Sequence, residues 1–164
     1  MKRIAYLLLA ALLLCACAGT ENAVFIDPNA VQGGGYGALY FEVNGVRFGI
    51  YDEADAVIEA LPECRSTFVG ETCAFESRDV YYIYDGFQMM VNEIDGTNRI
   101  TAITAKNDTV KTPQGLYIGM KAEDAAAAFP KLAAEDWVLI DGTAQLSVVI
   151  LDGVIAEIIY TPTK

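Results

Sequence analysis

The chain contains no histidine. Ser-His-Asp and Cys-His nucleophilic centres are therefore excluded. A zinc site fails on ligand count, because the two cysteines beyond the N-terminal segment do not complete a ligand set. Basic residues are scarce as well: 11 Lys and Arg stand against 22 Asp and Glu, for a net charge of −11. Such a chain repels phosphate backbones and anionic headgroups, which disfavours nucleic-acid binding and polybasic membrane docking. No Ser-x-x-Lys follows the N-terminal segment, so a serine–lysine centre is missing. Gly33-Gly34-Gly35-Tyr36-Gly37 lacks both the preceding strand and the lysine of a phosphate-binding loop. Asp95-Gly96-Thr97-Asn98 lacks the later glutamate of a calcium loop and reads as a turn. No cofactor or metal is expected. The apolar run from Ile4 to Leu14 is about half the roughly 20 residues that a membrane-spanning helix requires.

What the N-terminus does contain is an ordered set of export features. Lys2 and Arg3 form a short positive end, the apolar run follows, and Leu14-Cys15-Ala16-Cys17 closes it. That order is the tripartite export signal, and it resembles the bacterial lipobox, whose cysteine becomes the lipid-bearing first residue of the mature chain. Cys17 follows the small residue Ala16, whereas Cys15 follows the bulky Leu14, so Cys17 is the expected lipidation site. Residues 1–16 then form the signal peptide, and their removal takes two positive charges, leaving 148 residues at −13. Residues 17–37 are Gly-rich and polar enough to be a flexible tether. Residues 38–164 are the expected domain, held at the cell membrane by its lipid and facing outside the cytoplasm. Cys64 and Cys73 remain, and in an oxidising exported setting an even pair reads as a disulfide that closes CRSTFVGETC.

The domain reads as a duplication. Ile50, Ala54, Val57, Ile58 and Leu61 recur at helical spacing before Pro62. Ile118, Ala122, Ala125, Ala126 and Phe129 do the same before Pro130, and each partner lies 68 positions further on. Both stripes describe a helix with one buried face. Asp52 and Asp55 offer an acidic start to the first helix. Each stripe is followed by β-branched and aromatic residues broken by Asp-Gly pairs, at Asp85-Gly86 and Asp95-Gly96, then at Asp141-Gly142 and Asp152-Gly153. Asp-Gly favours tight hairpins, so each run predicts three antiparallel strands. Leu146, Val148 and Ile150 alternate with Gln145, Ser147 and Val149, as in a sheet covered mainly on one face. The expected fold is α+β: two tandem repeats, about 46–106 and 115–161, each a helix plus a three-stranded meander, forming one sheet with the helices on one face. A hairpin at Asn44-Gly45 precedes the first helix. The first copy carries 12 extra residues between helix and meander, and these include the cysteine loop.

Two groups of side chains are candidates for function. Asp52, Glu53 and Asp55, or Glu135 with Asp136, supply the carboxylates that a glycoside hydrolase needs, provided they converge. Tyr81, Tyr82, Tyr84 and Phe87 cluster around one hairpin, with Tyr82 and Tyr84 on one strand face and Tyr81 and Ile83 on the other. Exposed tyrosine gives a large recognition area at low ordering cost, so Tyr82, Tyr84 and Phe87 form the candidate binding surface.

TPQGLYIGMKAEDAAAAFP resembles a Thr-Pro-x-Gly-Ile-x-Ile-Gly segment of small lipoproteins from Gram-positive, gut-type bacteria. FEVNGVRFGIYDEADAVIEALPE and CAFESRDVYYIYDGFQMMVNEIDG are similar to the other recurrent stretches of that group. The repeats are also similar to those of beta-lactamase-inhibitor proteins and, in single copy, to the small lipoprotein of the outer-membrane assembly machine. The resemblance implies an interaction module. No segment matches the inhibitory loop of the inhibitor family, so no inhibitory residues carry over. The expected function is a non-enzymatic binding module, anchored to the membrane through Cys17 and engaging a protein or envelope ligand. The alternative is an enzyme inhibitor that presents the disulfide loop, followed by a carbohydrate-acting enzyme that uses acidic residues.

Overall fold

A computed structural model describes residues 39–70 and 78–163. The expected lipidation site Cys17, the tether and Cys73 lie outside the described residues. The chain forms a mixed α and β structure with a seven-stranded antiparallel sheet in the order β3-β4-β5-β6-β9-β8-β7. The strands are β3 (Ser66–Gly70), β4 (Asp79–Ile83), β5 (Phe87–Ile94), β6 (Thr97–Ala105), β7 (Val138–Asp141), β8 (Ala144–Leu151) and β9 (Val154–Pro162). The hairpin β1 (Phe41–Val43) and β2 (Val46–Phe48) forms a separate two-stranded sheet. Asn44 and Gly45 turn it with φ of 52° and 80°, the left-handed pair that a tight hairpin requires.

The two predicted helices are α1 (Ala54–Ala60) and α2 (Ala122–Ala128), offset by the 68 residues read from the sequence. Ala54, Val57 and Leu61 are buried, as the helical stripe requires. Pro62 lacks an N–H, so the last helical bond runs from the Leu61 N–H to the Val57 carbonyl. The expected role of Asp52 changes. Glu53 is the N-cap residue of α1, while the fully buried Asp52 carboxylate accepts the Gly49 N–H at 2.6 Å. It fixes the approach to the helix rather than its first turn. Pro130 also does more than end α2. It opens α3 (Pro130–Ala134), at the first helical position, where its missing N–H costs nothing.

Each helix is tied to the last strand of its own meander by the same backbone pattern. The Tyr51 N–H donates to Ile100 O and the Ile100 N–H to Asp52 O; likewise the Gly119 N–H donates to Ile155 O and the Ile155 N–H to Met120 O. The bulges recur too. β5 and β6 slip between Met90 and Val91, leaving Thr101 without a partner across the ladder. β8 and β9 slip between Val149 and Ile150, leaving Ala156 in the same position. The halves meet where β6 pairs with β9, as Ile103↔Tyr160, Thr104↔Ile159 and Ala105↔Ile158. Adding 55 to each β6 number exchanges the outer two pairs and leaves the middle pair unchanged.

The expectation of three strands in each half fails in the first, which has four. The extra strand is β3, an edge strand paired with β4 from Ser66↔Ile83 to Gly70↔Asp79. Its residues were expected to form a loop, but Thr67, Phe68 and Val69 are β-formers, and β4 offers them an open edge. The Asp-Gly turns also differ among themselves. Asp95-Gly96 and Asp152-Gly153 have positive φ at both residues, whereas at Asp141-Gly142 only Gly142 does. Asp85 and Gly86 have no positive φ. Gly86 is required for another reason: a Cβ there would lie 2.4 Å from Val110 Cγ1 and 2.5 Å from Thr109 Oγ1.

The core lies on one face of the sheet. One cross-strand row runs Thr67, Tyr82, Met89, Ile103, Tyr160, Leu146, Leu139, and its last five members are buried. α1, α2 and α3 add Val57, Ala125 and Leu132 to the same core. The β1–β2 hairpin adds Phe41 and Phe48. Phe41 packs edge-on against Phe48 and Tyr160 and lies 5.4 Å from the Phe87 ring centre.

Candidate functional site

The expected aromatic surface at Tyr82, Tyr84 and Phe87 is not exposed. Phe87 and Tyr84 are buried and their rings stack at 4.5 Å, nearly parallel. Burial pushes the Tyr84 phenol up to about 12, with smaller contributions from Cys64 and Tyr82. Tyr82 is half-buried against the same core. The shared face of Tyr82 and Tyr84 was legible from strand alternation. What the sequence did not show was that Phe41 and Phe48 of the N-terminal hairpin close over it.

The opposite face carries most of the accessible large apolar groups among the described residues; Val69, on the core side of β3, is an exception. Its central row runs Ser66, Ile83, Gln88, Thr104, Ile159, Ser147, Val138, one residue from each strand. None of the seven is charged. On the β3 side, Phe68, Tyr81 and Met90 form a second row, with the Phe68 and Tyr81 rings 5.9 Å apart. On the β7 side lie Ile140 and Gln145. Phe68 and Ile140 are 60% and 59% exposed. Six strand spacings separate the two edges, so the face is roughly 30 Å wide. Its charged side chains, Asp79, Arg99 and Glu157, lie at or beyond the two bulges. Desolvation, followed by the nearby Asp79 carboxylate, raises the Tyr81 phenol above its usual range. The phenol is therefore neutral at physiological pH.

At the bulge end of this face, a polar cluster holds β4 to β5. The Asn92 amide donates to Asp79 Oδ1 at 2.6 Å and to the Arg78 carbonyl at 3.2 Å, while Thr101 donates to Asn92 Oδ1. Asn92 and Thr101 are both buried. Buried donors and acceptors here satisfy one another, which makes this cluster a lock for the strand pairing.

The candidate carboxylates do not converge. Asp52 is enclosed, Asp55 is exposed and accepts the Asn98 amide at 3.1 Å, and Glu53, Glu135 and Asp136 are exposed. No group of three or more Cys, Asp or Glu residues fit to hold a metal occurs among the described residues. Cys64 is half-buried and has no disulfide partner among the described residues; its expected partner Cys73 lies outside them. Asp95-Gly96 is the turn between β5 and β6. No described helix is long and apolar enough to cross a membrane.

The sequence already placed Tyr81 and Ile83 on the face opposite Tyr82, and alternation through Met89 and Met90 extends that division. Phe68 was hidden because its segment read as a loop. Val138 and Ile140 were hidden because a four-residue strand gives too short an alternation to orient. No protein-family model matches this chain, and no curated protein or solved structure is detectably similar to it.

Proposed function

We propose that this chain is a non-enzymatic binding module, exported and held at the cell membrane by a lipid on Cys17, that engages a protein or envelope ligand through the open face of its sheet. One observation carries the reading. The face without cover among the described residues keeps Phe68, Tyr81, Met90, Val138 and Ile140 accessible in two adjacent rows without charge, in a chain whose net charge is −11. A broad apolar face free of charge at its centre and rimmed by charged groups has the anatomy of a protein interface. The membrane address rests on the export features of residues 1–17. A tandem duplication is the simplest origin of the fold. Its support is the recurrence of helix, backbone bonds, bulge and meander at fixed offsets, against which β3 has no counterpart in the second half.

The test is site-specific photo-crosslinking of the full-length chain in its host envelope. A photoreactive residue at Tyr81 is expected to capture a discrete partner, while one at Glu59, exposed on α1, captures none. Equal capture from both positions, or capture from Glu59 alone, would overturn the open-face reading.

A further inference from the structure

The two edges of the large sheet are finished differently. β4 carries β3 along its outer side, whereas β7 carries no further strand among the described residues. The Val148 N–H donates to the Trp137 carbonyl at 2.9 Å, in step with the pairing of Leu139 with Leu146 and Asp141 with Ala144. Hydrogen-bonded pairs in an antiparallel ladder fall at every second residue. The Trp137 carbonyl, Leu139 and Asp141 therefore bond inward to β8, while the Trp137 N–H donates to the Leu132 carbonyl, and the N–H and C=O of Ile140 point off the sheet. Beside this edge and α3 lies a groove of about 350 Å³ lined by Lys131, Glu135, Val138, Leu139 and Ile140. Edge strands are usually blunted by shortness, charge, proline, a bulge or a cover. β7 is four residues long and ends at Asp141, but Val138 to Ile140 has no proline, charge or bulge, and both Val138 and Ile140 are exposed.

We infer that this groove takes an extended peptide segment of a partner protein, which adds to β7 as an eighth strand. Ile140 supplies one donor and one acceptor to the incoming backbone, the main-chain pairing that gives strand addition its affinity. Alternate side chains of the peptide fall beside Val138 and Ile140 on the open face, so they are apolar. Lys131 and Glu135 line the groove, and the exposed Asp136 follows Glu135 in the chain, so the charge beside the groove is negative on balance and the flanks of the peptide are basic. The molecule holds its own precedent in β3, an uncharged extended segment laid antiparallel on β4. The inference rests on the binding-module reading and names the form of its partner.

The test uses the full chain, isotope-labelled, with the peptide KKVTVTVKK as probe and KKVTPTVKK as its strand-breaking control. Hydrogen exchange of the Ile140 amide, followed by NMR, is expected to slow at least tenfold with the first peptide and to remain unchanged with the second. Ile140→Pro removes the outward N–H and is expected to weaken the first peptide at least tenfold. Where that variant does not fold, exchange in the unsubstituted chain decides. Unchanged Ile140 exchange at millimolar peptide, or equal protection by the proline peptide, overturns the inference. Shifts confined to Tyr81, Met90 and Ile159, with Ile140 unaffected, reject the edge while leaving the open-face reading intact.

Discussion

Two adjacent rows cross the same seven strands and end in opposite circumstances. The inner row is exposed at Thr67, but from Met89 through Ile103, Tyr160 and Leu146 to Leu139 it is almost wholly apolar and packs into the core with the helices and the hairpin. The outer row, from Ser66 through Gln88, Thr104 and Ser147 to Val138, mixes hydroxyls and amides with aliphatic groups and has no cover among the described residues. The inner row shows what folding requires of a sheet face. The outer row is more apolar than solvation requires and more polar than a core. That intermediate character is what a surface needs if it is wetted at one time and covered at another.

The comparison breaks most readily at the cover of the inner face. Phe41→Ala removes a ring that touches Phe48, Phe87 and Tyr160. It is expected to lower stability by about 3–5 kcal/mol in urea unfolding. A loss below about 1 kcal/mol would mean that the hairpin only rests on the sheet. Gly86→Ala drives a methyl group into Val110 and Thr109, and its expected cost is about 1–3 kcal/mol in the same assay.

The next effect depends on pH. Burial raises the Tyr84 phenol to about 12, so between about pH 10, the ordinary tyrosine value, and pH 12 the folded state holds a proton that the unfolded state has released. The Tyr84 contribution is fully present below about pH 10 and is lost as pH rises through that window. Tm is expected to fall between about pH 10 and 12, and less steeply in Tyr84→Phe. Parallel slopes in the two proteins would place Tyr84 in a solvated environment. The smallest expected effect on folding belongs to the outer face. Ile140→Ser should change stability by no more than about 0.5 kcal/mol, yet it should reduce partner capture in the envelope. An outer substitution that destabilises as much as Gly86→Ala would make this face structural.

Much of the fold was legible in residue spacing. The two helical stripes found α1 and α2, and the Asp95-Gly96, Asp152-Gly153 and Asn44-Gly45 pairs fixed three turns. These signals are local, set by side-chain periodicity and φ preference. The alternation of Leu146, Val148 and Ile150 likewise marks the covered face, with Leu146 and Val148 buried and Ile150 partly buried against the core. The candidate site was half legible. Alternation separated Tyr82 from Tyr81, but choosing the covered side needed a tertiary fact, the folding of Phe41 and Phe48 onto Phe87. β3 was missed because a short segment between two cysteines carries loop and strand signals together, and the open edge of β4 decided between them.

The most direct measurement is residue-level oxidative footprinting of the full-length chain, purified and then in its host envelope. Phe68, Tyr81 and Met90 are predicted to lose labelling in the envelope, while Tyr51 and Tyr117, half-buried away from the outer rows, keep theirs. Equal labelling of Phe68, Tyr81 and Met90 in both settings would contradict the claim that the open face is where this molecule binds.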